Sequence, residues 1–153
     1  MSALDFAAQY GSYLAIPLLL ICGSNPRLCC REGNTALHSL IACVDDAKIL
    51  VALLNMLITA GANIHATDTA GRLVLFYACY FSAKLEDPCA VVNLLLDRGC
   101  KTDINQKLGN GSELLVELCG PVTLASLCVI KLLLDNGANP HAKDSQGLTP
   151  SSV

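Results

Sequence analysis

Nine cysteines and three histidines carry the widest chemical reach in this chain of 153 residues. Thiolates bind soft metals and attack disulfides, and imidazoles exchange protons near neutral pH. Cys29 and Cys30 are adjacent, with Arg27 and Arg31 beside them. Nearby positive charge lowers a thiol pKa, so a cysteine-based redox or metal module is one reading of this stretch. Against it, the cysteine count is odd, no Cys-x-x-Cys occurs, and zinc-ligand spacing is missing around the pair. Cys22, Cys43, Cys79, Cys119 and Cys128 lie in apolar helical stretches, where reduced cysteine acts as a small hydrophobe. His38 is a candidate general base, but no nucleophile motif surrounds it. His65 and His141 each stand four residues after a glycine, too far apart to share a metal, and read as exposed turn residues. Asp45-Asp46 and Glu86-Asp87 each precede an apolar run, where carboxylates suit the positive start of a helix. The sequence shows no Gly-rich phosphate loop, nucleophile elbow or dinucleotide fingerprint. The expectation is a protein that is not an enzyme, with no catalytic residue, metal or cofactor.

The elements that must position these side chains repeat. Gly23, Gly61, Gly99 and Gly137 are spaced 38 residues apart, and so are Gly33, Gly71, Gly109 and Gly147. Three apolar residues precede each glycine of the first column, as in Leu18-Leu19-Leu20 and Leu132-Leu133-Leu134. Asn25, Asn63 and Asn139 follow that column by two residues, with Lys101 in the fourth place. Asp68 and Asp144 stand three residues before glycines of the second column, where Cys30 and Gln106 take the other places. An apolar run closed by glycine reads as a helix ended by a residue with positive φ. The polar stretch to the next glycine reads as a turn or short hairpin. Each unit is then turn, helix, turn, helix. One unit cannot bury its own apolar faces, so neighbours must stack into a solenoid.

The chain thereby resembles the ankyrin-repeat family. Thr35-Ala36-Leu37-His38 is similar to that family's Thr-Pro-Leu-His opening, and Gly61-Ala62-Asn63 and Gly137-Ala138-Asn139 to its helix exit. Asp144-Ser145-Gln146-Gly147-Leu148-Thr149-Pro150 resembles the hairpin entering a new repeat. The resemblance implies an all-α solenoid in a single domain spanning 1–153. Its repeats fall at about 1–24, 25–62, 63–100 and 101–138, with a stub at 139–153. It also implies that His38 braces its repeat through hydrogen bonds. The family's usual period is about 33 residues. The five extra residues here fall between the paired helices or lengthen them.

The pattern predicts helices near 2–10, 13–22, 35–44, 46–60, 73–82, 88–98, 112–119 and 123–135. Asp45 is expected to cap the fourth, and Asp87-Pro88 to start the sixth. Pro17 falls in or near a first turn, where it is tolerated. The fourth unit slips by one residue, with Ser112-Glu113-Leu114-Leu115 as its opening, and Gly120-Pro121 breaks the chain before the last helix. Asn110-Gly111-Ser112 matches a glycosylation sequon but reads as a turn.

The chain is 53% hydrophobic, with mean hydropathy +0.50, yet no apolar run reaches the length of a membrane helix. No basic segment precedes the apolar stretch from Tyr13 to Cys22, so no signal peptide is read, and the cysteines suit a reducing compartment, cytosol or nucleus. A net charge of −3 does not suggest nucleic-acid or membrane binding. The turn segments 24–34, 62–72, 100–110 and 138–147 hold six basic and four acidic residues. That mild positive excess favours an acidic partner surface. What the resemblance implies is protein–protein recognition, as a scaffold or adaptor, through hairpin tips and the inner faces of the first helices. The residues placed there are Arg31, Glu32, Arg72, Tyr77, Tyr80, Lys107 and Gln146. Tyr77 and Tyr80 lie three apart on one helix face. The other readings are a structural spacer or a fragment of a longer repeat array, since the last helix is largely apolar and only a stub follows it.

Overall fold

The computed structural model describes residues 1–120 and 127–149. Among them are eight α-helices, taken in pairs: α1 (Ala3–Gln9) with α2 (Ala15–Ile21), α3 (Ala36–Cys43) with α4 (Ala47–Thr59), α5 (Val74–Tyr80) with α6 (Pro88–Asp97), and α7 (Leu114–Leu118) with α8 (Leu127–Asp135). The first helices pack in one row, α1 on α3 on α5 on α7. The second helices pack in another, α2 on α4 on α6 on α8. This is the two-layer stack that the period required, an all-α solenoid. The expected start of the last helix at 123 and the break at Pro121 lie outside the described residues.

The apolar core runs unbroken between the rows. Leu37, Leu40, Leu50, Leu54, Leu57, Leu75, Leu95, Leu114 and Leu133 are fully buried. Each contributes about 1.5–3 kcal/mol of burial that no single pair of helices could provide. Short hairpins join the helix pairs, each marked by one antiparallel bridge: Cys29 with Thr35, Thr67 with Leu73, and Lys107 with Glu113. The asparagine column has a local reason. The side chains of Asn25, Asn63 and Asn139 accept from the amides of Arg27, His65 and His141 at 2.9, 3.1 and 3.0 Å, closing the chain as it leaves each second helix. Lys101 offers no acceptor, and there the chain winds into a short 3₁₀ turn, Cys100–Asp103.

Three expectations need correction. Asp46, not Asp45, caps α4, accepting from Lys48 and Ile49 amides at 2.9 and 3.1 Å; Asp45 instead meets Lys84 Nζ at 3.1 Å. The fourth unit slips by two residues rather than one. Its first helix is preceded by Glu113, which stands where Thr35 and Leu73 stand in the earlier units. The third glycine with positive φ in the hairpin column is accordingly Gly111 (φ 83°), not Gly109, and Leu108 replaces Gln106 three residues before it. Gly109 serves a close approach instead. A Cβ there would run into the Ala70 carbonyl, so the third hairpin lies on the second only because both are bare at Gly109 and Gly71. The five extra residues also separate into two solutions. They lengthen α4 to 13 residues, and in the third unit they form the 3₁₀ turn Ser82–Lys84 between its helices.

Candidate functional site

On the hairpin side, Asp68 organises the surface. It follows the second bridge residue, is buried, and sits between the hairpin and α5. Its carboxylate accepts from the Ala70 and Arg72 amides, both at 2.9 Å, and from Arg72 Nε at 2.7 Å. The Tyr77 hydroxyl lies between Asp68 Oδ2 at 3.0 Å and Asn34 Oδ1 at 3.1 Å, so it joins two hairpins. The Arg72 guanidinium also lies over the Tyr77 ring, 5.3 Å from its centre. Burial works to raise the Asp68 pKa, but the hydrogen bonds from Arg72 and Tyr77 outweigh it and hold the carboxyl below 3.8. Burial, reinforced by the bond to Asp68, pushes the Tyr77 phenol up to about 12, so it stays a donor.

His38 packs edge-on against the same ring at 4.8 Å. Its Nδ1 accepts from the Thr35 amide at 3.2 Å and lies 3.0 Å from the Thr35 hydroxyl, which leaves the ring proton on Nε2. Burial holds His38 below its ordinary 6.5, although the nearby Arg72 and Ala66 carbonyls oppose the shift. The bracing that the Thr-x-x-His resemblance implied is present, and His38 lies buried among structural partners.

A hollow of about 350 Å³ opens beside this network. Its walls include Asp5 and Gln9 of α1, Arg31 and Glu32 of the first hairpin, and His38 and Ser39 of α3, with Tyr77 below. Three of the seven expected partner-binding residues, Arg31, Glu32 and Tyr77, thus meet in one place. Arg31 and Glu32 are exposed, and Arg72 is half exposed while tied to Asp68. Tyr77 is only 7% exposed, so its ring forms the floor rather than the rim. Tyr80 points elsewhere: it is 37% exposed and stacks on Phe76 at 5.6 Å. Lys107 is exposed at the base of the third hairpin, opposite Glu113, and Gln146 is exposed in a fourth turn whose amides are held by Asp144. These last three do not line the hollow.

The cysteines fall in two classes. Cys79 and Cys100 are buried, and burial pushes the Cys100 thiol up to about 12, with Asp103 adding to the effect. Cys29 is exposed and Cys30 partly so, and the described residues bring no third metal-ligating group to them. One cluster escaped the sequence reading. His65, expected to be a plain exposed turn residue, has Nδ1 2.8 Å from Asp103 Oδ2, and Cys100 lies beside both. The signal was available: His65 and Asp103 are 38 residues apart, one full period, so stacking places them side by side.

A family model described as ankyrin repeats (3 copies) matches residues 4–108. The chain is 34% identical over 95 residues to phosphocholine transferase AnkX of Legionella pneumophila, covering 62% of this chain and 9% of that protein. It is 29% identical to an ankyrin repeat protein of Acanthamoeba polyphaga mimivirus, over 95% of this chain and 17% of the relative. It is 25% identical to the ankyrin repeat protein YahD of Escherichia coli, over 97% of this chain and 70% of the relative. The chain spans less than a fifth of the length of the first of these curated relatives.

Proposed function

Because the chain belongs to the ankyrin-repeat family, we propose that it is a non-catalytic module that binds another protein through the hollow and the hairpin rim beside it. Ankyrin repeats generally mediate protein–protein interaction. The observation that carries the finer reading is the hollow itself. It joins α1, the first hairpin and α3, and it sets the exposed charges of Arg31 and Glu32 above a rigid aromatic floor. Charged rims steer partners and set specificity, while a buried aromatic anchor gives a complementary surface to press against. Arg72 extends the rim, and Tyr77 holds it in place through Asp68. Arg31, Arg72 and Lys107 favour an acidic patch on the partner, and the compartment is cytosol or nucleus. Tyr80 and Gln146 would be reached only by a partner extending beyond the hollow.

Partner affinity in alanine variants tests this. Arg31→Ala and Glu32→Ala should each weaken binding by about 1–2 kcal/mol while leaving the helical signal intact. Lys48→Ala, at the start of α4, should leave binding unchanged. Equal binding by all these variants would remove the assignment.

A second reading has its own observation. Leu14, just before α2, and Leu18 and Ile21 on it are 89%, 64% and 81% exposed, a surface suited to stacking against further repeats. In that reading the segment is a structural spacer within a longer array, and the isolated chain has no tight partner.

A further inference from the structure

His65, Cys100 and Asp103 come from two successive units. His65 sits where the chain leaves α4, and Cys100 and Asp103 lie on the 3₁₀ turn after α6. Their ligand-bearing atoms all lie within 4.8 Å of one another. We infer that these three side chains form a binding site for a zinc-class divalent cation, bridging the turns that leave α4 and α6.

Three features of the cluster point this way. The first is the donor set. One sulfur, one imidazole nitrogen and one carboxylate suit zinc, which takes all three, whereas magnesium and calcium need a shell of oxygens and find one carboxylate here. The second is placement. Cys100 and Asp103 are 0% and 4% exposed, so two sides of the site are fixed by packing, while the His65 side chain is 46% exposed and leaves a path for the ion and for a solvent ligand. The third is charge. The Cys100 thiol would release its proton to solvent as the ion binds, the resulting thiolate and the Asp103 carboxylate together balance a dication, and no Lys or Arg is paired with Asp103 among the described residues. The thiol's present contacts are a long 3.7 Å approach to the Ile64 carbonyl and one to Asp103, itself a member of the cluster, so little is lost when the sulfur turns to the ion.

The fit needs a small adjustment. Zinc bonds of about 2.0–2.3 Å set tetrahedral ligand atoms roughly 3.3–3.6 Å apart. His65 and Asp103, now 2.8–3.0 Å apart, would open slightly, and the sulfur would close in. The exposed imidazole can make that movement. Since the ligands belong to neighbouring units, binding would fasten one repeat to the next and favour the folded state.

The test uses the full chain, stripped of metal and kept reduced with a phosphine rather than a thiol. Cobalt(II) is titrated while the near-ultraviolet sulfur-to-cobalt charge-transfer band is recorded, and zinc is then added in competition. The expected result is one cobalt per chain, displaced by zinc, with the band absent in Cys100→Ser. Because Cys100 is buried and its variant could misfold, the surface change His65→Ala carries the test independently. It should weaken cobalt binding by at least about tenfold while preserving the helical spectrum. Cys29→Ser and Cys89→Ser should keep the band, which separates this site from the other thiols. No band in the unaltered chain, unchanged affinity in His65→Ala, or loss of the band in Cys29→Ser or Cys89→Ser would overturn the assignment.

Discussion

Asp68 joins four donors: two backbone amides, the Arg72 guanidinium and the Tyr77 hydroxyl. Replacing it by Asn keeps the shape but removes the charge and reverses part of the donor–acceptor pattern. Hydrogen bonds to charged groups are worth about 1.5–3 kcal/mol each, so Asp68→Asn should cost on the order of 2–3 kcal/mol in urea unfolding. The loss should be much smaller for Arg72→Ala, whose side chain is half in solvent. Acid should act through two groups. Burial holds His38 below 6.5, so on acidification below about that value the unfolded chain takes up a proton that the folded chain resists, and stability falls. Asp68, held below 3.8, is still ionised in the folded chain when its unfolded counterpart protonates. Its contribution is present above that value and is lost as the pH drops through the folded pKa. A melting-temperature profile should thus decline in two steps, and His38→Gln should remove the upper one only. The sequence announced His38 through its spacing from Thr35, but Asp68 was legible only as a turn residue. Its partner Tyr77 stands on the next helix and reaches Asn34 in the preceding hairpin as well, and no local pattern records these contacts.

At the scale of the element, the helices were readable because the second helix of each unit ends in a glycine with positive φ and several helices start at a polar cap or a proline. Asp87-Pro88 began α6 as the rule for N-termini requires. The register of the third hairpin was not readable. Gly109 kept the 38-residue spacing and so took the place of Gly111, and two glycines with different physical roles look alike in a sequence. The distinction is measurable. Gly109→Ala forces a methyl against the Ala70 carbonyl and should cost about 1–3 kcal/mol. Gly147→Ala meets no neighbour and should cost only the roughly 1 kcal/mol of a left-handed alanine. Equal losses in thermal or urea unfolding would mean that the second and third hairpins do not touch as described.

For the whole molecule, stacking makes the two rows unlike. The first-helix and hairpin side is knit by Thr69 to Glu32 and by Tyr77 to Asn34, and it holds the hollow. At one end, by contrast, the outer surface of α1 and α2 leaves Phe6, Tyr10, Leu14, Leu18 and Ile21 in solvent. No helix of the described residues is long and apolar enough to cross a membrane. The isolated chain should self-associate through that apolar end as its concentration rises, and Leu14→Glu with Ile21→Glu should suppress this in light scattering without loss of helix. In the function proposed above, partner recognition belongs to the hollow. The decisive measurement places a photo-crosslinking phenylalanine analogue at Ser39 in the hollow or at Ala52 on α4 and irradiates each chain in its native cell extract. A discrete crosslinked protein is expected from Ser39, lost when Arg31 and Glu32 are also changed to alanine, and none from Ala52. The same product from both positions, or from Ala52 alone, would contradict it.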